Sequence, residues 1–312
     1  MMARFEGWHR PMLVFAGVMA VVAAGCVVGI VVDDRVLLGA PAWLKPFKFA
    51  VSMALYAVAW AWLYSLLTRG RRLASALSNL VVLCMVIEWV VIAGQVVRGR
   101  PSHFNVSTPL DGTLWAVMAF SIVVLWLGTF VLTAQVFRAG VADPAVRAGI
   151  RVGTVIALVG LALGFLMTSP NAAQLADMQA GIVPTAIGAH TVGLPDGGPG
   201  MPVTGWSTAG GDLRIPHFVG MHALQLLPLL AMALGLVKSG PLADPEVRRR
   251  VVLVAGGGYA GLVALVTWQA ERGQPLIAPD ALTLGALALL VAAVVGATAA
   301  SLATARPAAV AR

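Results

Sequence analysis

The chain has 312 residues, 59% of them apolar and only 11% charged, with a mean hydropathy of +0.89. A soluble domain carries about 25% charged residues, so this composition excludes a water-soluble globule; it equally excludes a disordered chain, which would be poor in apolar residues. The formal charge of +8 sits in short clusters between apolar runs, which is the pattern of membrane-topology signals and not of a nucleic-acid partner.

A bilayer core of about 30 Å takes about 20 apolar residues per helix. Eight segments meet that requirement: 11–32, 46–67, 76–98, 113–137, 150–169, 215–237, 249–270 and 280–304. The first contains Ala23-Ala24-Gly25-Cys26, a string with the small residues of a lipoprotein cleavage site. It lacks the branched residue three positions before the Cys, and the apolar run continues to Val32, so it is read as a retained helix. Cys26 and Cys84 both lie inside apolar runs, which argues against a disulfide framework. The largest piece outside the spans, 170–214, is rich in Gly and Pro. The expected fold is all-α: a multi-pass membrane protein of eight transmembrane helices.

Lys and Arg are enriched in cytoplasmic loops. Fourteen of the 21 fall on the side of Arg4, Arg71, Arg147, Arg249 and Arg306; seven fall on the other, at Arg35, Lys45, Lys48, Arg98, Arg100, Arg214 and Arg272. The expected topology puts both termini in the cytoplasm and the 170–214 loop outside. For a bacterial chain that means the inner membrane.

The end of the third span reads Gln95-Val-Val-Arg98-Gly99-Arg100-Pro101, and the end of the seventh reads Gln269-Ala-Glu-Arg272-Gly273-Gln274-Pro275. The second span opens Leu44-Lys45-Pro-Phe-Lys48-Phe49, and the sixth opens Leu213-Arg214-Ile-Pro-His217-Phe218. Two matches at nearly one offset predict a duplication, 1–140 and 141–312. Each repeat has four helices, so the repeats run parallel, related by an axis along the membrane normal. The halves differ where chemistry would sit: His217 stands opposite Lys48, Gln225 opposite Tyr56, and Leu262 opposite Glu88.

An intramembrane carboxylate is a candidate functional group. Glu88, His217 and His222 are the expected catalytic residues, in a polar cavity open to the extracytoplasmic side. The expected ligand-binding set is Lys45, Lys48, Gln95, Arg98, Arg214, Gln225, Gln269 and Arg272, because clustered cations hold anionic groups. His217 and His222 are five apart, about 140° around a regular helix. A local π-bulge, or ligands such as His103 and His190 from the outer loops, would be needed to complete a metal site. One reading is a membrane oxidoreductase using a haem, a transition metal or a quinone. The other is a transporter or sensor that binds a small anion or lipid. Membrane lipids are expected partners in both.

The strings Trp43-Leu-Lys-Pro-Phe-Lys-Phe, Arg98-Gly-Arg-Pro-Ser-His-Phe-Asn, Gly211-Asp-Leu-Arg-Ile-Pro-His-Phe-Val-Gly-Met-His-Ala-Leu-Gln and Arg272-Gly-Gln-Pro-Leu-Ile resemble a family of uncharacterised bacterial integral membrane proteins across most of the chain. That resemblance implies a bacterial inner-membrane setting and no particular activity. The four-plus-four plan is also similar to that of haem A synthase. The paired intramembrane histidines and Glu-x-x-His motif of that enzyme are absent, so none of its residue roles carries over.

Overall fold

The computed structural model describes residues 6–304. Arg4, Arg306, Arg312 and the termini lie outside the described residues. Among the described residues, eight helical segments are long and apolar enough to cross a membrane. In chain order the helices are α1 (Arg10–Val32), α2 (Leu44–Ser65), α3 (Arg71–Val97), α4 (Pro109–Val136), α5 (Pro144–Leu163), the short α6 (Ala172–Gln179), α7 (Arg214–Met221), α8 (Ala223–Leu234), α9 (Pro245–Glu271) and α10 (Ala281–Ala303). The sixth span is α7 and α8 together, and the fifth continues from α5 to α6 through a 3-10 turn at Gly164–Thr168.

Several helices begin earlier than their apolar runs. Thr108, Asp143 and Asp244 cap α4, α5 and α9 through their side chains, each with a proline in the first turn. A capping side chain satisfies otherwise unpaired N–H groups, and proline loses nothing there. The charged first turns, with Arg147 and Arg248, are therefore helical.

The loops collect at two ends. At one, Arg71 donates to the Gly7 carbonyl, Arg248 approaches Asp143 at 3.7 Å, and Arg250 donates to Thr304 Oγ1; this is the basic end. At the other, the loops build a cap. Strands β1 (Val36–Leu37) and β2 (Ala40–Pro41) form a small hairpin, and β3 (Thr191–Val192) pairs antiparallel with β4 (Gly211–Asp212). The long loop is sewn to both halves of the chain. Val106 N–H donates to the Thr185 carbonyl, Ile187 N–H to the Phe104 carbonyl and Leu213 N–H to the His190 carbonyl, each worth about 1 kcal/mol net.

One apolar core joins α1–α4 to α5 and α8, through Met12, Tyr56, Trp60, Leu132, Ile150 and Leu224. The second half packs through small residues. A Cβ on Gly149 or Gly153 of α5 would press on the carbonyls of Leu227 or Ala223, and Gly160 meets Gly220 backbone to backbone. Small residues on one face let membrane helices approach this closely. Gly256 and Gly258 serve the same purpose against Val152 and Val294. Cys26 and Cys84 are free and buried.

Candidate functional site

The residues of interest meet under the cap, where α2 faces α7 between the two halves. Phe49 of α2 lies 6.5 Å edge-on from Phe218 of α7 and 5.6 Å from the His103 ring. Lys45 interacts electrostatically with Arg214, Asp196, Lys48 and Glu88. His103 lies within reach of Lys45, His190 and His217, with the His103 and His190 rings 6.4 Å apart. Lys45, Lys48, His103, His217 and Arg214 are all partly buried.

Local structure explains these positions. His217 Nδ1 is 2.8 Å from the Gly160 carbonyl, and Gly164 leaves room for the ring. That carbonyl accepts only, so Nδ1 carries the hydrogen and Nε2 is left as an acceptor. His190 is fixed in the same way: its Nδ1 lies 2.5 Å from Asp196 Oδ2, and Asp196 also accepts from the His190 and Thr191 N–H groups and from Thr191 Oγ1. His103 Nδ1 contacts Ser102 Oγ at 3.1 Å. The following residue, Phe104, has a φ of +64°, a strained region for an aromatic residue and one that recurs at binding sites.

The sixth span is not a regular helix. It breaks at His222, between α7 and α8, and Pro228 lies within α8. His222 sits beside the Gln225 amide and within electrostatic reach of His217. His222 keeps an αR backbone, and its N–H still donates to the Phe218 carbonyl at 3.4 Å. Among the described residues, no three His, Cys, Asp or Glu side chains gather closely enough to hold one metal ion.

Glu88 is only 1% exposed, accepts from Ser121 Oγ at 3.1 Å, and has no partner for Oε2 among the described residues. Below it, Tyr56 Oη and Thr129 Oγ1 are 2.5 Å apart, and Ser78 and Thr133 are also buried. Polar groups thus continue toward the basic end inside the first half.

The cap-end charges sort themselves. Arg35 pairs with Asp33, Arg98 with Asp111, Arg214 with Asp212 and Arg272 with Asp280. Asp33 is close in sequence to the lysines, yet it is engaged by Arg35 and by Trp43 Nε1. Arg98 is held with the buried Gln95 on Asp111. Arg272 lies over the Trp268 ring at 4.5 Å, and the buried Gln269 donates to the Pro275 carbonyl. These four ligand-binding candidates therefore fasten helix hairpins. Among the described residues Lys48 has one hydrogen bond, to the Thr204 carbonyl, and Lys45 has none. Two apolar grooves on the flanks, between α1 and α3 and between α4 and α5, are lined away from this cluster.

Outside the spans, burial pushes His103 and His190 below the usual imidazole range. Lys45 adds to both shifts, while the Asp196 hydrogen bond only partly offsets that of His190. Burial alone would raise Asp196, but the His190 and Thr191 donors outweigh it and hold the carboxyl low. Both imidazoles therefore hold a proton less readily in the folded chain than in the unfolded one, where an imidazole takes up a proton below about pH 6.5. Their contribution is complete above that pH and is lost as pH falls below it. The apparent melting temperature of the purified protein is expected to drop between pH 7 and 5.5. His103→Phe with His190→Asn should flatten that slope, and an unchanged slope would contradict the assignment.

Compared with known proteins, the chain matches no family model, no curated protein and no solved structure. The resemblance to bacterial membrane proteins rests on the quoted strings alone.

Proposed function

We propose that the protein is a multi-pass inner-membrane protein that binds a small anion at its extracytoplasmic end, between two parallel four-helix repeats. The observation that carries this reading is the pairing pattern at the cap end. Arg35, Arg98, Arg214 and Arg272 each have an aspartate of their own, whereas among the described residues Lys45 and Lys48 have no salt-bridge partner and converge with Arg214. Unpaired cations in a desolvated site are costly until an anion joins them.

The repeat draws support from local geometry. Gly99 and Gly273 have φ of +68° and +69°. In both turns the next N–H, of Arg100 or Gln274, returns to the carbonyl of Gln95 or Gln269. These are the same helix-ending turn in the two halves. The sidedness draws support from the excess of Arg at the basic end. Reporter fusions after Ser239 and within 185–210 are expected on opposite sides, the former cytoplasmic; the same sidedness for both would defeat the topology.

The anion reading is tested by thermal shift of the purified chain at constant ionic strength. Phosphate or acetate should raise the apparent melting temperature relative to chloride, and Lys45→Met should abolish the difference. Equal stability in all three salts would refute it.

One observation favours an enzyme as a second reading. His190 is oriented by Asp196 through Nδ1, and among the described residues no hydrogen bond engages its Nε2. That is the arrangement of a general base. With Trp115 at 5.6 Å from His103 and Phe104 at 4.9 Å from His190, an aromatic ligand such as a quinone would suit the same place. Quinol oxidation lost in His190→Asn would move the assignment to an oxidoreductase.

A further inference from the structure

The cations of the site are not idle in the closed protein. Lys48 Nζ lies 2.5 Å from the Thr204 carbonyl oxygen, and Arg214 Nη2 lies 2.6 Å from the Gly205 carbonyl oxygen. These are consecutive carbonyls at the tip of one hairpin. Its arms are held by Met201 N–H to the Trp206 carbonyl at 2.7 Å, Thr208 N–H to the Pro199 carbonyl at 3.0 Å, and the bridge between Gly200 and Ser207. The tip is strained: Val203 has a φ of +64° and is 65% exposed. A β-branched residue rarely adopts that conformation, and strain of this kind is typical of clamps and switches.

Two neutral carbonyl oxygens therefore occupy the positions where an anion's oxygens would be bound. A carboxylate or phosphoryl group makes charge-assisted hydrogen bonds to Lys and Arg that are about twice as strong as neutral ones. It also offers two oxygens to the two donors. A halide has one centre and does not replace both.

We propose that the ligand carries a carboxylate or phosphoryl group, and that two of its oxygens replace the Thr204 and Gly205 carbonyls on Lys48 and Arg214, lifting the 199–208 hairpin off the site. This rests on the anion-site reading above and adds the ligand's chemical class and the part that must move. Lys45, which has no hydrogen bond of its own among the described residues, supplies the next contact. Lifting the hairpin also relieves the Val203 conformation. It leaves the His190–Asp196, β3–β4 and Arg214–Asp212 pairs in place and gives up the Ser207 N–H bond to Asp212 Oδ2.

The test uses the full chain with spin labels on Pro202→Cys and Val36→Cys, in a background with Cys26→Ala and Cys84→Ala. Pulsed electron spin resonance reads the separation of the hairpin from the β1–β2 turn, and calorimetry on the same samples reads binding. Acetate and inorganic phosphate are expected to bind and to lengthen or broaden the separation; chloride at equal ionic strength is not. Lys48→Met should broaden it with no anion added, whereas Lys48→Arg, which keeps a donor, should restore the narrow distribution. Repeating the measurement without added anion in nanodiscs of phosphatidylglycerol and of phosphatidylcholine separates the sources. Opening only in the former identifies a lipid headgroup, and opening in neither assigns a soluble oxyanion. Binding of phosphate with an unmoved hairpin would overturn the displacement and leave the anion site standing. A narrow distribution in Lys48→Met would overturn it as well. No heat from either oxyanion would overturn both.

Discussion

Gly160→Leu should prevent the second four helices from packing. Gly160 of α5 and Gly220 of α7 touch backbone to backbone, and a Cβ at either runs into main-chain atoms of the other. Those atoms belong to a helix that cannot rotate away as a side chain would. Overpacking of a well-packed contact costs 1–3 kcal/mol and sometimes more; with backbone as the obstacle, about 3 kcal/mol or more is expected. The same shift would carry away His217, whose ring is fixed on the Gly160 carbonyl. Unfolding in graded detergent mixtures measures the loss. Gly17→Leu is the control, because nothing lies within 4 Å of a Cβ there, and it should be neutral. Equal stability of the two variants would contradict the close crossing.

Asp212→Ala should loosen the cap while sparing the bundle. Asp212 is fully buried. It accepts from Arg214 N–H at 3.0 Å, Arg214 Nε at 2.9 Å, Arg214 Nη2 at 2.6 Å and Ser207 N–H at 2.7 Å. Removing it leaves a guanidinium beside Lys45 and Lys48 without its carboxylate, and a buried N–H without an acceptor. Breaking a buried pair costs 3–5 kcal/mol; because Arg214 is partly exposed, about 2–4 kcal/mol is expected. Hydrogen exchange should speed up across residues 199–213 and stay slow in α3 and α9. Asp212→Asn keeps the shape and some of the acceptors and should fall between. Unchanged exchange in the cap would show that the pair does not hold it.

The eight spans are legible in the sequence because an apolar run of about 20 residues matches the thickness of a bilayer core and exceeds what a buried soluble helix needs. The helix starts lie several residues before those runs where Thr108-Pro109, Asp143-Pro144 and Asp244-Pro245 set the caps, a signal that the sequence also carries. So is the small-residue face of Gly149, Gly153 and Gly160, which fixes how α5 meets α7 and α8. The α6 helix is announced by Asn171 and Gln174, which form a reciprocal cap. Of the expected ligand-binding cations, the structure places Lys45, Lys48 and Arg214 near one another. Arg98 and Arg272 are expected to join them, but each is drawn aside by an aspartate opening the next helix, Asp111 or Asp280. The pairing of His190 with Asp196, and the carbonyls on Lys48 and Arg214, depend on the backbone path of a long irregular loop. Residue type and spacing carry no record of that path.

The proposed anion site lies where α2 meets α7, at Lys48 and Arg214. Crystals grown without phosphate or sulfate and soaked in selenate would test it most directly, by anomalous diffraction at the selenium edge. The expected result is a peak within hydrogen-bonding reach of Lys48 and Arg214, with residues 199–208 moved, and no peak there in Lys48→Met. Peaks confined to the arginines of the basic end, with the cluster around Lys45 empty, would contradict it.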